Sequence, residues 1–119
     1  MWNRAMSLSG LGLVGLLILG LTGCAAKYDP LGQQVQRAAG LSLQGEQSFS
    51  QGDFNKASKD FSRALEVSRS VDYPPGVARQ LNNLGAVALE QGDLKKAREL
   101  FTQAWEINQS QQQWSDASV

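Results

Sequence analysis

The sequence contains no histidine and one cysteine, Cys24, in 119 residues. A single cysteine excludes an intramolecular disulfide. Without histidine there is no Ser-His or Cys-His pair for nucleophilic catalysis. The usual nitrogen and sulfur ligand sets for zinc or iron are equally excluded within one chain. Carboxylate-only calcium sites stay open in principle, although the sequence has no D-x-D-x-D-G loop. Charge of one sign is lacking too, since Lys plus Arg and Asp plus Glu both number 11. There is no basic excess to hold nucleic acid and no acidic tail. The expectation is a chain with no cofactor, no metal, no nucleic-acid partner and no enzymatic activity.

What charge there is stands outside one region. Residues 5–26 carry no charged side chain. Arg4 and the amino terminus precede an apolar run, Leu8–Leu21, of about 14 residues, shorter than the roughly 20 needed to span a bilayer. Small residues and Cys24 follow. A positive start, a short apolar centre and small residues before a cut make a secretory leader.

The four residues Leu21, Thr22, Gly23 and Cys24 resemble the lipobox of bacterial lipoproteins at every position. The resemblance implies that the Cys24 thiol receives a diacylglycerol and that a signal peptidase cuts after Gly23. It also implies an N-acyl chain on the freed amine of Cys24. Two or more chains give stable membrane anchoring, at roughly 0.8 kcal/mol per buried methylene. Ala25 stands where an aspartate retains such proteins at the inner membrane. The resemblance therefore implies a cell-envelope protein at the outer membrane, facing the periplasm. An uncleaved single-span anchor is the alternative. Residues 1–23 are thus expected to be a signal peptide, and 24–29 the lipidated N-terminus and a short linker.

The remainder repeats. Residues 51–67, QGDFNKASKDFSRALEV, align with residues 91–107, QGDLKKARELFTQAWEI, at an offset of 40. Gly52, Asp53, Lys56, Ala57, Phe61 and Ala64 match Gly92, Asp93, Lys96, Ala97, Phe101 and Ala104. Upstream, Ala38, Leu41 and Gly45 match Ala78, Leu81 and Gly85. Each unit reads as two helices. In the second, Pro74-Pro75-Gly76 marks a start and the first helix runs over about 75–91. Leu81, Leu84 and Ala88 give an apolar stripe at 3–4 spacing. Gly92 makes the turn and Asp93 caps the next helix, which runs from Leu94 to about Gln109. Ala97, Ala104 and Gly85 are small where helices approach closely. Asp29-Pro30 is a further helix start.

These residues resemble the tetratricopeptide repeat. The second unit keeps Leu81, Leu84-Gly85, Gly92-Asp93, Ala97, Phe101 and Ala104. It departs at Ala88, where the family usually has tyrosine. The first unit departs at Gln44 and Ser48. Arg69 and Gln109 stand where a closing proline is usual. The period of 40 exceeds the common 34 and matches the longer variant, as does VARQLNNLG. The resemblance implies an all-α solenoid of two helix-turn-helix repeats, about 38–71 and 78–111. The repeat domain is expected over 30–112, followed by a C-terminal tail, 113–119.

In that family the first helices line a concave groove. Carried over, the partner-binding positions are Ser42, Glu46 and Phe49 in the first unit and Arg79, Asn82, Asn83, Ala86 and Glu90 in the second. Asn83 offers a donor and an acceptor to a peptide backbone, and Arg79 a partner for a carboxylate. The implied function is a lipid-anchored adaptor or scaffold for protein partners, in secretion, pilus or envelope-complex assembly by fold analogy. Two repeats bury fewer faces than the three or more usual in solenoids. Phe101, Trp105 and Trp114 are therefore expected to be partly uncovered. Closure by the first helix and the tail, self-association into a structural homo-oligomer, and completion by a partner remain equal alternatives.

Overall fold

The structure is a computed structural model that describes residues 28–118. All regular structure among them is helical: α1 Pro30–Ser50, α2 Phe54–Ser70, α3 Pro74–Glu90 and α4 Leu94–Ala117. The leader, the lipobox residues Leu21, Thr22, Gly23 and Cys24, and the linker up to residue 27 lie outside the described residues. Among those described, no helix is long and apolar enough to cross a membrane.

Short-range chemistry sets the helix ends. Asp29, Asp53 and Asp93 each accept a hydrogen bond from the backbone N–H three residues on, at 2.9, 3.0 and 3.1 Å. One otherwise orphaned donor is satisfied at each start. α3 has no side-chain cap. Pro74 and Pro75 begin it instead, with no N–H to satisfy. The turns are alike. Gly52 and Gly92 take φ of +77° and +78°, and the N–H groups of Asp53 and Asp93 reach back to Ser48 and Ala88, both at 2.9 Å. Glycine enters this left-handed region without a Cβ clash. Between α2 and α3 the same turn is made by Asp72, at φ 50°, with Tyr73 N–H bonded to Ser68 at 2.9 Å.

α1 packs on α2, α2 on α3 and α3 on α4, while α1 meets α3 only along an edge. The core is two linked clusters. Ala57, Phe61 and Val87 form one, flanked by Phe49, Phe54 and Leu84. Leu65, Leu81 and Ala104 form the other, flanked by Val77, Leu84, Leu100 and Ile107. Leu84 belongs to both and ties the second helix pair to the first. Successive helix-turn-helix pairs thus stack as an α-solenoid does.

The structure departs from the sequence reading at three points. α4 does not end near Gln109 with a separate tail from 113: the helix runs to Ala117. NQSQQQWSDA contains no proline or glycine to stop it, whereas the equivalent point after α2 is followed by Tyr73-Pro74-Pro75-Gly76. α3 begins at Pro74 and ends at Glu90, one residue earlier at each end. The i,i+4 spacing of Lys56–Asp60 and of Lys95–Glu99 predicts ion pairs on solvated helix faces, whereas the ion pair among the described residues is Asp60–Arg63, at 3.9 Å. Asp60 is only 5% exposed, so its carboxylate lies turned in from the solvated face that carries Lys56.

The groove between α1 and α3

Two helices bring the groove residues together. Ser42 and Glu46 are one turn apart on α1, and Ser42 Oγ donates to Glu46 Oε1 at 3.3 Å. Asn83 approaches from α3. Its Nδ2 donates to Ser42 Oγ at 3.5 Å and to Gln80 Oε1 at 3.4 Å. A polar chain therefore runs Glu46–Ser42–Asn83–Gln80 across the edge where α1 meets α3. The last two bonds are long, and so are weak individually.

Beside this chain, Glu46, Phe49, Phe61, Asn83 and Ala86 line a cavity of about 130 Å³. At about 30 Å³ of liquid per water, that space holds a few waters or one short side chain. Its floor is aromatic and its rim carries a carboxylate and an amide. With Nδ2 engaged, the carbonyl oxygen of Asn83 accepts no hydrogen bond from another described residue and is left as an acceptor suited to a backbone N–H.

Of the positions carried over from sequence, Glu46, Phe49, Asn83 and Ala86 surround this cavity. Ser42 is buried and serves as the polar joint between the helices, not as groove surface. Arg79, Asn82 and Glu90 are exposed along α3, and no hydrogen bond or ion pair to other described residues draws them in.

Two residues were not foreseen. Phe61 supplies a wall of the cavity from α2. Gln80 is fully buried, with Oε1 bound to Asn83 and Nε2 without a hydrogen-bond partner. Its place between Val77 and Leu84 on one helical stripe was the available signal. A glutamine type alone does not announce burial.

The tetratricopeptide repeat profile matches residues 36–110, most of the four-helix unit. The chain belongs to the tetratricopeptide repeat family. Neither a curated protein nor a solved structure matches it. Tetratricopeptide repeats are typical non-catalytic scaffolds that mediate protein–protein interaction. In this repeat protein the paired turn residues Gly52-Asp53 and Gly92-Asp93 set both helix pairs to the same geometry. The first helices α1 and α3 then stand side by side to form the groove.

Proposed function

We propose that this repeat protein is a lipid-anchored adaptor of the cell envelope that holds a protein partner in the groove between α1 and α3. The observation that carries the binding role is the cavity beside Asn83, where an aromatic floor meets an unengaged amide carbonyl. A peptide strand laid there finds an acceptor for its N–H and an apolar recess for one side chain. The exposed Arg79 and Glu90 extend the same helix and offer charge selectivity.

The anchoring role rests on Leu21-Thr22-Gly23-Cys24 at the end of an uncharged run. With Ala25 next, the favoured site is the outer membrane facing the periplasm. Asp29 caps α1 only five residues after Cys24. At about 3.3–3.6 Å per extended residue, the start of α1 is tethered within roughly 20 Å of the bilayer. Partners are then membrane-proximal envelope proteins.

Intact mass spectrometry of the membrane fraction, beside Cys24→Ser, tests the anchor. The expected species lacks residues 1–23 and carries acyl mass, and Cys24→Ser abolishes both changes. An uncut mass indifferent to the substitution rejects it. A photo-reactive residue at position 86 tests the groove. A discrete protein adduct, lost on Asn83→Ala, is the expected result, and no adduct in the intact envelope rejects the groove as a binding site.

A further inference from the structure

The 40-residue offset supplies a template for a surface outside the groove. Phe54, Phe61 and Leu65 of α2, with Phe49 at the end of α1, belong to the two clusters that α3 covers. Their equivalents are Leu89, Leu94, Phe101 and Trp105, which stand 50%, 66%, 37% and 61% exposed. Phe61 and Leu65 are 2% and 8% exposed. Leu89, Leu94, Phe101 and Trp105 surround an open hollow of about 520 Å³ that no described residue fills. The face of α4 is thus the face of α2 without its α3. These four apolar side chains share one hollow, and exposed apolar side chains gathered in one place, unlike scattered ones, point to an interaction site.

The polar positions say which helix fits. At the covered interface, Gln91 Nε2 donates to Asn55 Oδ1 at 3.4 Å. The residue equivalent to Asn55 is Lys95, and the one equivalent to Ser58 is Arg98. Both cations are exposed, and Arg98 lines the hollow. Two positions that are neutral on α2 are cationic on the open face.

A second copy of the chain is a poor occupant. The stripe that α3 carries, Val77, Gln80, Leu84 and Val87, becomes Arg37, Gly40, Gln44 and Gln47 on α1, and all four are exposed. Head-to-tail stacking would set a polar face on an apolar one. Pairing two open faces would bury two Arg98 guanidiniums on a surface whose lining contains no carboxylate, and an unpaired buried charge is costly.

We propose that the open face of α4 docks one amphipathic helix of a partner protein, antiparallel to α4 as α3 is to α2. Its aliphatic stripe covers Phe101 and Trp105. A carboxylate at the place of Gln91 meets Lys95 and Arg98. This site goes beyond the groove and is separable from it.

The test uses the full-length protein in lipid nanodiscs. The probe is a synthetic helix with the sequence of residues 74–91, carrying Gln91→Glu and a staple between positions 79 and 83. Fluorescence anisotropy should show saturable micromolar binding. The parent peptide with Gln91 should bind about tenfold more weakly, as expected for one charge-assisted contact. Trp105→Ala and Arg98→Glu in the protein, both at exposed positions, should each weaken binding about tenfold or more, with helicity unchanged. Asn83→Ala should leave it unaltered while abolishing any groove adduct, so the two sites fail independently. The proposal is overturned by no saturable binding at millimolar peptide. Equal affinity of the two peptides, or binding indifferent to Trp105→Ala, also overturns it. So does loss of binding on Asn83→Ala. Self-association abolished by Trp105→Ala overturns it in favour of a second copy.

Discussion

The ring of Phe61 occupies the space that a side chain on Gly45 would need: a Cβ there would stand 2.5 Å from Cε1. The same contact recurs 40 residues on between Phe101 and Gly85, at 2.7 Å. The two are not equivalent in consequence. Phe61 is sealed in the core, whereas Phe101 borders the open face of α4 and has room to turn. Gly45→Ala is expected to destabilise by about 1–3 kcal/mol through overpacking, more than the roughly 1 kcal/mol gained in helix propensity. Gly85→Ala should cost less, or nothing. Urea unfolding of both variants checks this. Equal midpoints would show that the sealed ring imposes no greater constraint than the open one.

Asp60 poses a different problem. It is buried, Oδ2 has no hydrogen-bond partner, and Oδ1 meets Arg63 only at 3.9 Å. Its counterpart 40 residues on is Leu100, which packs against the second core cluster. Replacing a poorly paired buried charge by an apolar side chain of similar size is often stabilising, by about 1–4 kcal/mol. Asp60→Leu should therefore raise the thermal midpoint. A lower midpoint would mean that the carboxylate is held by bound water or by a residue outside 28–118.

The three capped helices separate local from global effects. Asp53 caps α2, which is packed on both sides, and Asp53→Ala should cost about 1 kcal/mol of global stability. Asp29 caps α1, whose first buried residue is Ala38, about two turns further on. Asp29→Ala should fray those turns and leave global unfolding nearly unchanged. Hydrogen exchange resolves the two: faster exchange confined to residues 32–36 in Asp29→Ala, against faster exchange throughout in Asp53→Ala. A global loss in Asp29→Ala would place the start of α1 inside the cooperative unit.

Much of this was legible from residue types with strict geometric meaning. Gly52 and Gly92 announce left-handed turns, Asp53 and Asp93 announce caps, and Gly85, Ala97 and Ala104 announce a close approach of helices, though not the phenylalanine rings that meet Gly45 and Gly85. All carry the same offset. What was not legible depends on neighbours. The extent of α4 followed from the absence of a breaker, which gives no positive signal. The helical position of Ser42 allows it to face the groove, yet the approach of α3 buries it. The role of Gln80 depends on Asn83, whose Nδ2 satisfies the buried amide oxygen only once α3 is folded.

That last contact supports a double-mutant test. Gln80 is buried with Nε2 unpartnered, and only its Oε1 is satisfied, by Asn83. Asn83→Ala leaves Oε1 orphaned as well and removes the bond to Ser42, so a loss of about 1–3 kcal/mol is expected. Gln80→Met keeps the approximate shape and removes both amide groups from the core. It should be neutral or stabilising, because no buried group is left wanting and Asn83, being only partly buried, can turn to water. In the Gln80→Met background the cost of Asn83→Ala should shrink to the Ser42 bond alone, a coupling of about 0.5–3 kcal/mol. Chemical denaturation of the four proteins measures it. Additive effects would mean that the Gln80–Asn83 bond contributes nothing to folding, and that the long 3.4 Å distance reflects an amide held by packing and not by Asn83.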